Sequence, residues 1–165
     1  MKSRQALSAS ALLFLAAVGA ALWLTRAAED AAPPLALHTL DGRTLHLEQL
    51  RGKPLLVTFW ATTCQSCVKE IPHLAELYQA LHPRGLEVIG IAMAYDPPSF
   101  VLDMIQQRQI PYPIALDLDS AAARSFGDVK LTPSSFLISP EGRIVQRYVG
   151  TMDMQRLYGM IQGML

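Results

Sequence analysis

The sequence predicts an α/β sandwich: a mixed central β-sheet with helices on both faces. Three observations point to it. From Leu35 onward, short apolar or alternating runs take turns with stretches of helical periodicity. One run, Leu55-Leu56-Val57-Thr58-Phe59-Trp60, is apolar almost throughout and suits a central strand buried on both faces. The chain then closes with a hairpin pattern and an amphipathic stretch. Hydrophobic residues make up 51% and charged residues 17%, which excludes disorder throughout and allows a sizeable core. Fourteen Lys and Arg balance fourteen Asp and Glu without a basic tract, so no nucleic-acid partner is expected.

The elements follow in order. Met1-Lys2-Ser3-Arg4-Gln5 is basic, and Ala6 to Leu24 carries no charge. As a helix this run spans roughly 28 Å, about the hydrocarbon thickness of a bilayer. It is apolar around its circumference, which argues against a soluble amphipathic helix. A single N-terminal membrane anchor over 1–26 is expected. A cleaved signal peptide is the alternative, with poor cleavage sites at Gly19-Ala20-Ala21 or Thr25-Arg26-Ala27. Lys2, Arg4 and the amino terminus outweigh Arg26, which places the rest of the chain outside the cytoplasm, on the periplasmic or cell-surface side. Residues 27–34, with Pro33-Pro34, read as a linker, and 35–165 as one folded domain. An N-terminal β-hairpin is expected around Asp41-Gly42.

After the apolar strand, a helix runs from the cysteines to about His82, with Val68, Ile71, Leu74, Ala75, Tyr78 and Leu81 as its buried stripe and Pro72 inside it. A strand over 86–92, a helix over 99–107 and a short strand over 113–116 follow. Ser120 is expected to cap a short helix ending at Gly127, and Asp117-Leu118-Asp119 to be a solvated turn. Strands over 135–138 and 143–149 flank a Pro140-Glu141-Gly142 turn. A closing helix over 152–165 places Met154, Leu157, Tyr158, Ile161 and Leu165 on one face. The methionines read as core and gap-filling residues, and His38, His46, His73 and His82 as surface or loop residues.

The chemistry concentrates in Phe59 to Ile71, which hold the only two cysteines, Cys64 and Cys67. A cysteine at a helix N-terminus sees the positive end of the helix dipole and unpaired N–H groups, and both stabilise a thiolate. Cys64 is therefore the expected nucleophile, and Cys67, one turn further in, the partner that closes a Cys64–Cys67 disulfide. A purely structural disulfide over so short a loop would stabilise little. A zinc site would need two further ligands, and His73 and His82 are spaced too widely, so no metal is expected.

Three stretches carry a resemblance: Trp60 to Pro72, Leu131 to Gly142 and Val149 to Met152. Together they are similar to the TlpA/ResA-like membrane-anchored thioredoxins, in element order over Leu35 to Leu165. The W-A-x-x-C-x-x-C-x-x-E-x-P string is its specific part. The resemblance implies a thioredoxin-like fold and thiol–disulfide oxidoreductase activity with no cofactor beyond the redox-active disulfide. It implies that Glu70 manages the proton of buried Cys67 and that Trp60 lies beside the dithiol. It also makes Pro133 a cis-proline whose neighbour Thr132 offers its backbone to an extended substrate segment. The implied partners are disulfide-bonded proteins, such as apocytochrome c or a copper-site assembly protein, and a membrane electron donor. Two departures stand out. Thr58 occupies the position of the buried aspartate of ordinary thioredoxins, and Gln65-Ser66 is neither Gly-Pro nor Pro-His, which leaves the potential open.

Three rival classes make different demands. A peroxidase would want a proline where Val57 stands. A disulfide oxidase or isomerase would use the same dithiol at a higher potential. A Cu(I) metallochaperone would bind the metal through both thiolates without turnover.

Overall fold

The strand Leu55–Trp60 (β3) organises the domain. It is buried along its whole length and lies at the centre of a five-stranded sheet. The computed structural model describes residues 14–19 and 30–165, and the order of elements is the predicted one. Strands Ala36–His38 (β1) and Thr44–His46 (β2) form the expected antiparallel hairpin. Helix Gln65–Leu81 (α1), strand Glu87–Ala92 (β4) and helix Pro98–Arg108 (α2) follow β3. Next come strand Ile114–Leu116 (β5), helix Ala121–Ser125 (α3), strands Ser134–Ile138 (β6) and Ile144–Val149 (β7), and helix Met154–Gln162 (α4). The sheet order is β5-β4-β3-β6-β7. Neighbours β3, β4 and β5 are parallel, and β6 and β7 are antiparallel to their neighbours. The fold is thioredoxin-like.

Side-chain alternation along β3 divides the core. Leu56 and Trp60 face α1 and α4, where they meet Ile71, Leu74, Leu157 and Ile161. Leu55, Val57 and Phe59 face the other layer, where Phe59 packs edge-on against Phe126 and Phe136. The hairpin seals one edge: Thr39 bridges Ala115, and the Leu40 N–H donates to the Ile114 carbonyl at 2.8 Å. An edge strand covered in this way cannot template pairing with another chain. Gly90 on β4 lets the layers close, since a Cβ there would stand 2.5 Å from Ile114 Cδ1 and 3.2 Å from Trp60 Nε1.

Several expectations are corrected. The buried face of α1 is Cys67, Glu70, Ile71, Leu74, Leu77 and Leu81. Leu77 replaces Val68 and Tyr78, which are only half-buried. As expected, helix α1 runs through Pro72, whose missing N–H removes one intrahelical bond. Ser120 makes no side-chain cap to α3. Asp117 does so instead, accepting from the Ala122 and Ala123 N–H groups at 2.8 Å each, and it is buried rather than solvated. On α4 only Leu157 and Ile161 are buried, Tyr158 faces outward, and Asp153 is the N-cap; Leu165 lies beyond the end of the helix and is exposed. Residues 14–19 are helical and exposed, while most of the expected anchor lies outside the described residues. Among the described residues no helix is long and apolar enough to cross a membrane.

Candidate active site

Strand β3 ends at Trp60, and the chain turns through Ala61-Thr62-Thr63 into α1. The Cys64 N–H donates to the Ala61 carbonyl at 3.1 Å, closing that turn. Cys64 is the N-cap of α1, with extended backbone, and its Sγ accepts from the Cys67 N–H at 3.3 Å. A sulfur therefore occupies the place where Ser or Asp usually satisfies the orphan N–H groups of a helix. Cys64 and Cys67 are disulfide-bonded, with Cα atoms 5.3 Å apart. Their environments differ: Cys67 is 3% exposed, whereas Cys64 is half-buried, with its Sγ 3.3 Å from Ser66 Oγ.

The register of β3 and β6 brings the second half of the site alongside. Ser134 pairs with Phe59, so the Thr132–Pro133 segment leaves the sheet at the end where β3 passes into the cysteine turn. The Thr132–Pro133 bond is cis, with Pro133 buried and Thr132 half-buried. The Pro133 carbonyl accepts from Gly150 N–H at 2.8 Å, which ties this loop to the segment after β7.

Glu70 lies one turn beyond Cys67 on the same buried face of α1. It is 6% exposed, and its Oε1 accepts from the Met152 N–H at 2.6 Å. Burial pushes its carboxyl pKa up, opposed by the Met152 hydrogen bond and by His73. A carboxyl whose pKa is raised accepts a proton more readily than an ordinary carboxylate, which suits a partner to a buried thiol. Glu70 also acts on Tyr112, whose phenol is pushed up mainly by its own burial. At the place of the missing aspartate, Thr58 Oγ1 accepts from Ser135 Oγ at 2.8 Å, both residues being buried. A neutral, satisfied pair fills that position, which leaves Glu70 as the acid on this face. Trp60 is 4% exposed, and its ring belongs to the core cluster that contains Cys67, so it offers a substrate little surface.

One residue escaped the sequence reading. Asp96 is 2% exposed, and both its oxygens hold Thr62: Oδ2 accepts from the Thr62 N–H at 2.6 Å and Oδ1 from its hydroxyl at 2.5 Å. The available signal was an aspartate just past the carboxyl end of a parallel strand, where α/β folds place their sites.

Comparison with known proteins agrees with this geometry. Residues 27–160 match the Redoxin family model. The thiol-disulfide oxidoreductase ResA of Bacillus cereus is 30% identical over 131 residues, covering 79% of this chain and 75% of that protein. ResA of Bacillus subtilis is 31% identical over 121 residues, covering 73% of this chain and 66% of that protein. Among solved structures, a thioredoxin-family thiol:disulfide interchange protein from Chlorobium tepidum has a TM-score of 0.74 at 26% identity. That match covers 82% of this chain and 95% of the other. The chain belongs to the Redoxin family, as a thiol–disulfide oxidoreductase of the ResA kind.

Proposed function

We propose that the chain reduces disulfides in exported proteins, working outside the cytoplasm while its N-terminal apolar segment holds it to the membrane. The observation that carries this reading is the asymmetry of the dithiol: an accessible Cys64 at a helix N-terminus and a buried Cys67 one turn behind it. In the reduced form, Cys64 thiolate attacks a substrate disulfide, forming a mixed disulfide and expelling one substrate thiolate. Cys67 passes its proton to Glu70 and attacks Cys64 Sγ. The mixed disulfide breaks, the second substrate thiolate leaves, and the Cys64–Cys67 disulfide forms. Two electrons have moved from dithiol to substrate. No bound cofactor is needed, because the disulfide is the redox group.

Thr132 and Pro133 serve as the docking edge in this scheme, Thr132 pairing its backbone with an extended substrate segment. Regeneration outside the cytoplasm requires a membrane protein that supplies two electrons. The substrates this reading favours are exported proteins whose thiols must stay reduced, as in haem attachment to apocytochrome c or metal-site assembly. The test is the reduction potential of the full-length chain in detergent, equilibrated in dithiothreitol or glutathione buffers and read by thiol alkylation. A potential near about −270 mV supports a reductase; one near about −120 mV would make the chain a disulfide donor and overturn the proposal.

A further inference from the structure

The segment Met93–Asp96, between β4 and α2, contacts both loops of the site. Its own fold is fixed at two points: the Met93 N–H donates to the Trp60 carbonyl at 3.0 Å, and the Asp96 N–H to the Met93 carbonyl at 2.9 Å. From this turn Asp96 reaches Thr62 with both carboxylate oxygens, two residues before Cys64. From the same turn Tyr95 places its hydroxyl 3.5 Å from Thr132 Oγ1 on the cis-proline loop. A side chain that is 2% exposed and spends both oxygens on one residue of a turn fixes that turn. The turn in question decides where Cys64 Sγ sits relative to the first N–H groups of α1.

The geometry points to Asp96 as a positioning residue for the attacking thiol: by clamping Thr62 it keeps Cys64 Sγ on the α1 N-terminus, where the helix stabilises the thiolate. Asp96 does not touch the sulfur in this arrangement; it acts through Thr62. The inference rests on Cys64 being the attacking thiol. It also has a distinctive sign. A carboxylate that acted by its charge would repel a neighbouring thiolate, so its removal would raise Cys64 reactivity. A clamp has the opposite effect, and its removal lowers reactivity.

The experiment measures the alkylation rate of Cys64 against pH in the reduced full-length chain, for wild type, Asp96→Ala, Asp96→Asn and Thr62→Val. Asp96→Ala is expected to slow alkylation at pH 7 roughly tenfold, the effect of about one unit on the thiol pKa. Asp96→Asn can still accept from the Thr62 N–H and donate to its hydroxyl, so it is expected to stay within about twofold of wild type. Thr62→Val loses one of the two bonds and should give a partial fall of about threefold. Added to Asp96→Ala it should produce no further fall, because the two residues act as one unit. Should Asp96→Ala fail to fold, Thr62→Val decides the matter. Faster alkylation in both Asp96 variants, or an unchanged rate in folded Asp96→Ala or in Thr62→Val, would overturn the inference. An unreactive Cys64 in the wild-type chain would instead overturn the proposed mechanism, so the two failures are distinguishable.

Discussion

Of the three helices that follow parallel strands, α1 and α3 satisfy their N-termini in opposite ways. After β5, Asp117 turns back and accepts from the Ala122 and Ala123 N–H groups of α3 at 2.8 Å each. After β3, Cys64 accepts from the Cys67 N–H of α1 at 3.3 Å through sulfur. The electrostatic opportunity is the same: orphan donors and the positive end of a helix. A carboxylate takes it permanently, and α3 is thereby only a structural element. The Cys64 sulfur takes it within the disulfide, and under the proposed mechanism it would carry the charge as a thiolate in the reduced chain. In the proposed mechanism the α1 N-terminus favours the reduced state, in which Cys64 carries charge.

The comparison is broken most severely at α1. Cys64→Ser should abolish turnover, because a hydroxyl at this position cannot exchange with a disulfide, while the cap itself survives. Cys67→Ser should instead stall after the first attack and accumulate mixed disulfides, seen as a reductant-sensitive mass increase. Full turnover in Cys67→Ser would refute the two-cysteine scheme. The mirror substitution, Asp117→Ala, should leave Cys64 alkylation unchanged but cost about 2–3 kcal/mol of stability in urea unfolding. It strands two buried N–H groups that bonded to a carboxylate. If Asp117→Ala proved neutral, the view of α3 as structurally capped would be wrong.

How much of this was legible follows the range of the interactions. The α1 N-terminus and the central strand each sit in one contiguous string, where local chemistry and spacing were sufficient, whereas the cis bond before Pro133 was implied only by the family resemblance. The capping of α3 was misassigned for a physical reason. Ser120 stands at the conventional N-cap position, but it has a left-handed backbone, φ 59°, and its hydroxyl makes no cap bond, so the carboxylate three residues earlier takes over. Similarly, Leu77 was passed over because helical spacing counted from Val68 favours Tyr78, and only the packing of α4 decides which flank of the stripe is covered. The Asp96–Thr62 pair spans 34 residues and the Glu70–Met152 bond 82, and neither pairing can be read from local spacing. Residue type and motif could nominate Glu70. Only the fold shows that the backbone of Met152 is its partner.

The smallest expected change in stability concerns the buried acid of α1, Glu70. The folded-state pKa of Glu70 is raised, chiefly by burial, above its ordinary value of 4.5. Between those two values the native chain holds a proton that the unfolded chain has lost. Stability therefore falls as pH rises through that window, and the deficit persists above it. Glu70→Gln keeps an oxygen that can accept from the Met152 N–H and removes the ionisation. In the oxidised protein the substitution should leave stability near wild type at pH 4 and raise it at pH 8. Urea unfolding at the two pH values measures this directly. The same variant should slow the resolution of mixed disulfides, about a hundredfold where general-base help is lost. A gain in stability accompanied by a loss of rate would mark Glu70 as a group kept buried for its chemistry, the counterpart of Asp117, which is buried for the fold alone. If Glu70→Gln lowered stability at both pH values, Glu70 would be a structural anchor for the Met152 segment, and the contrast between the two buried acids would disappear.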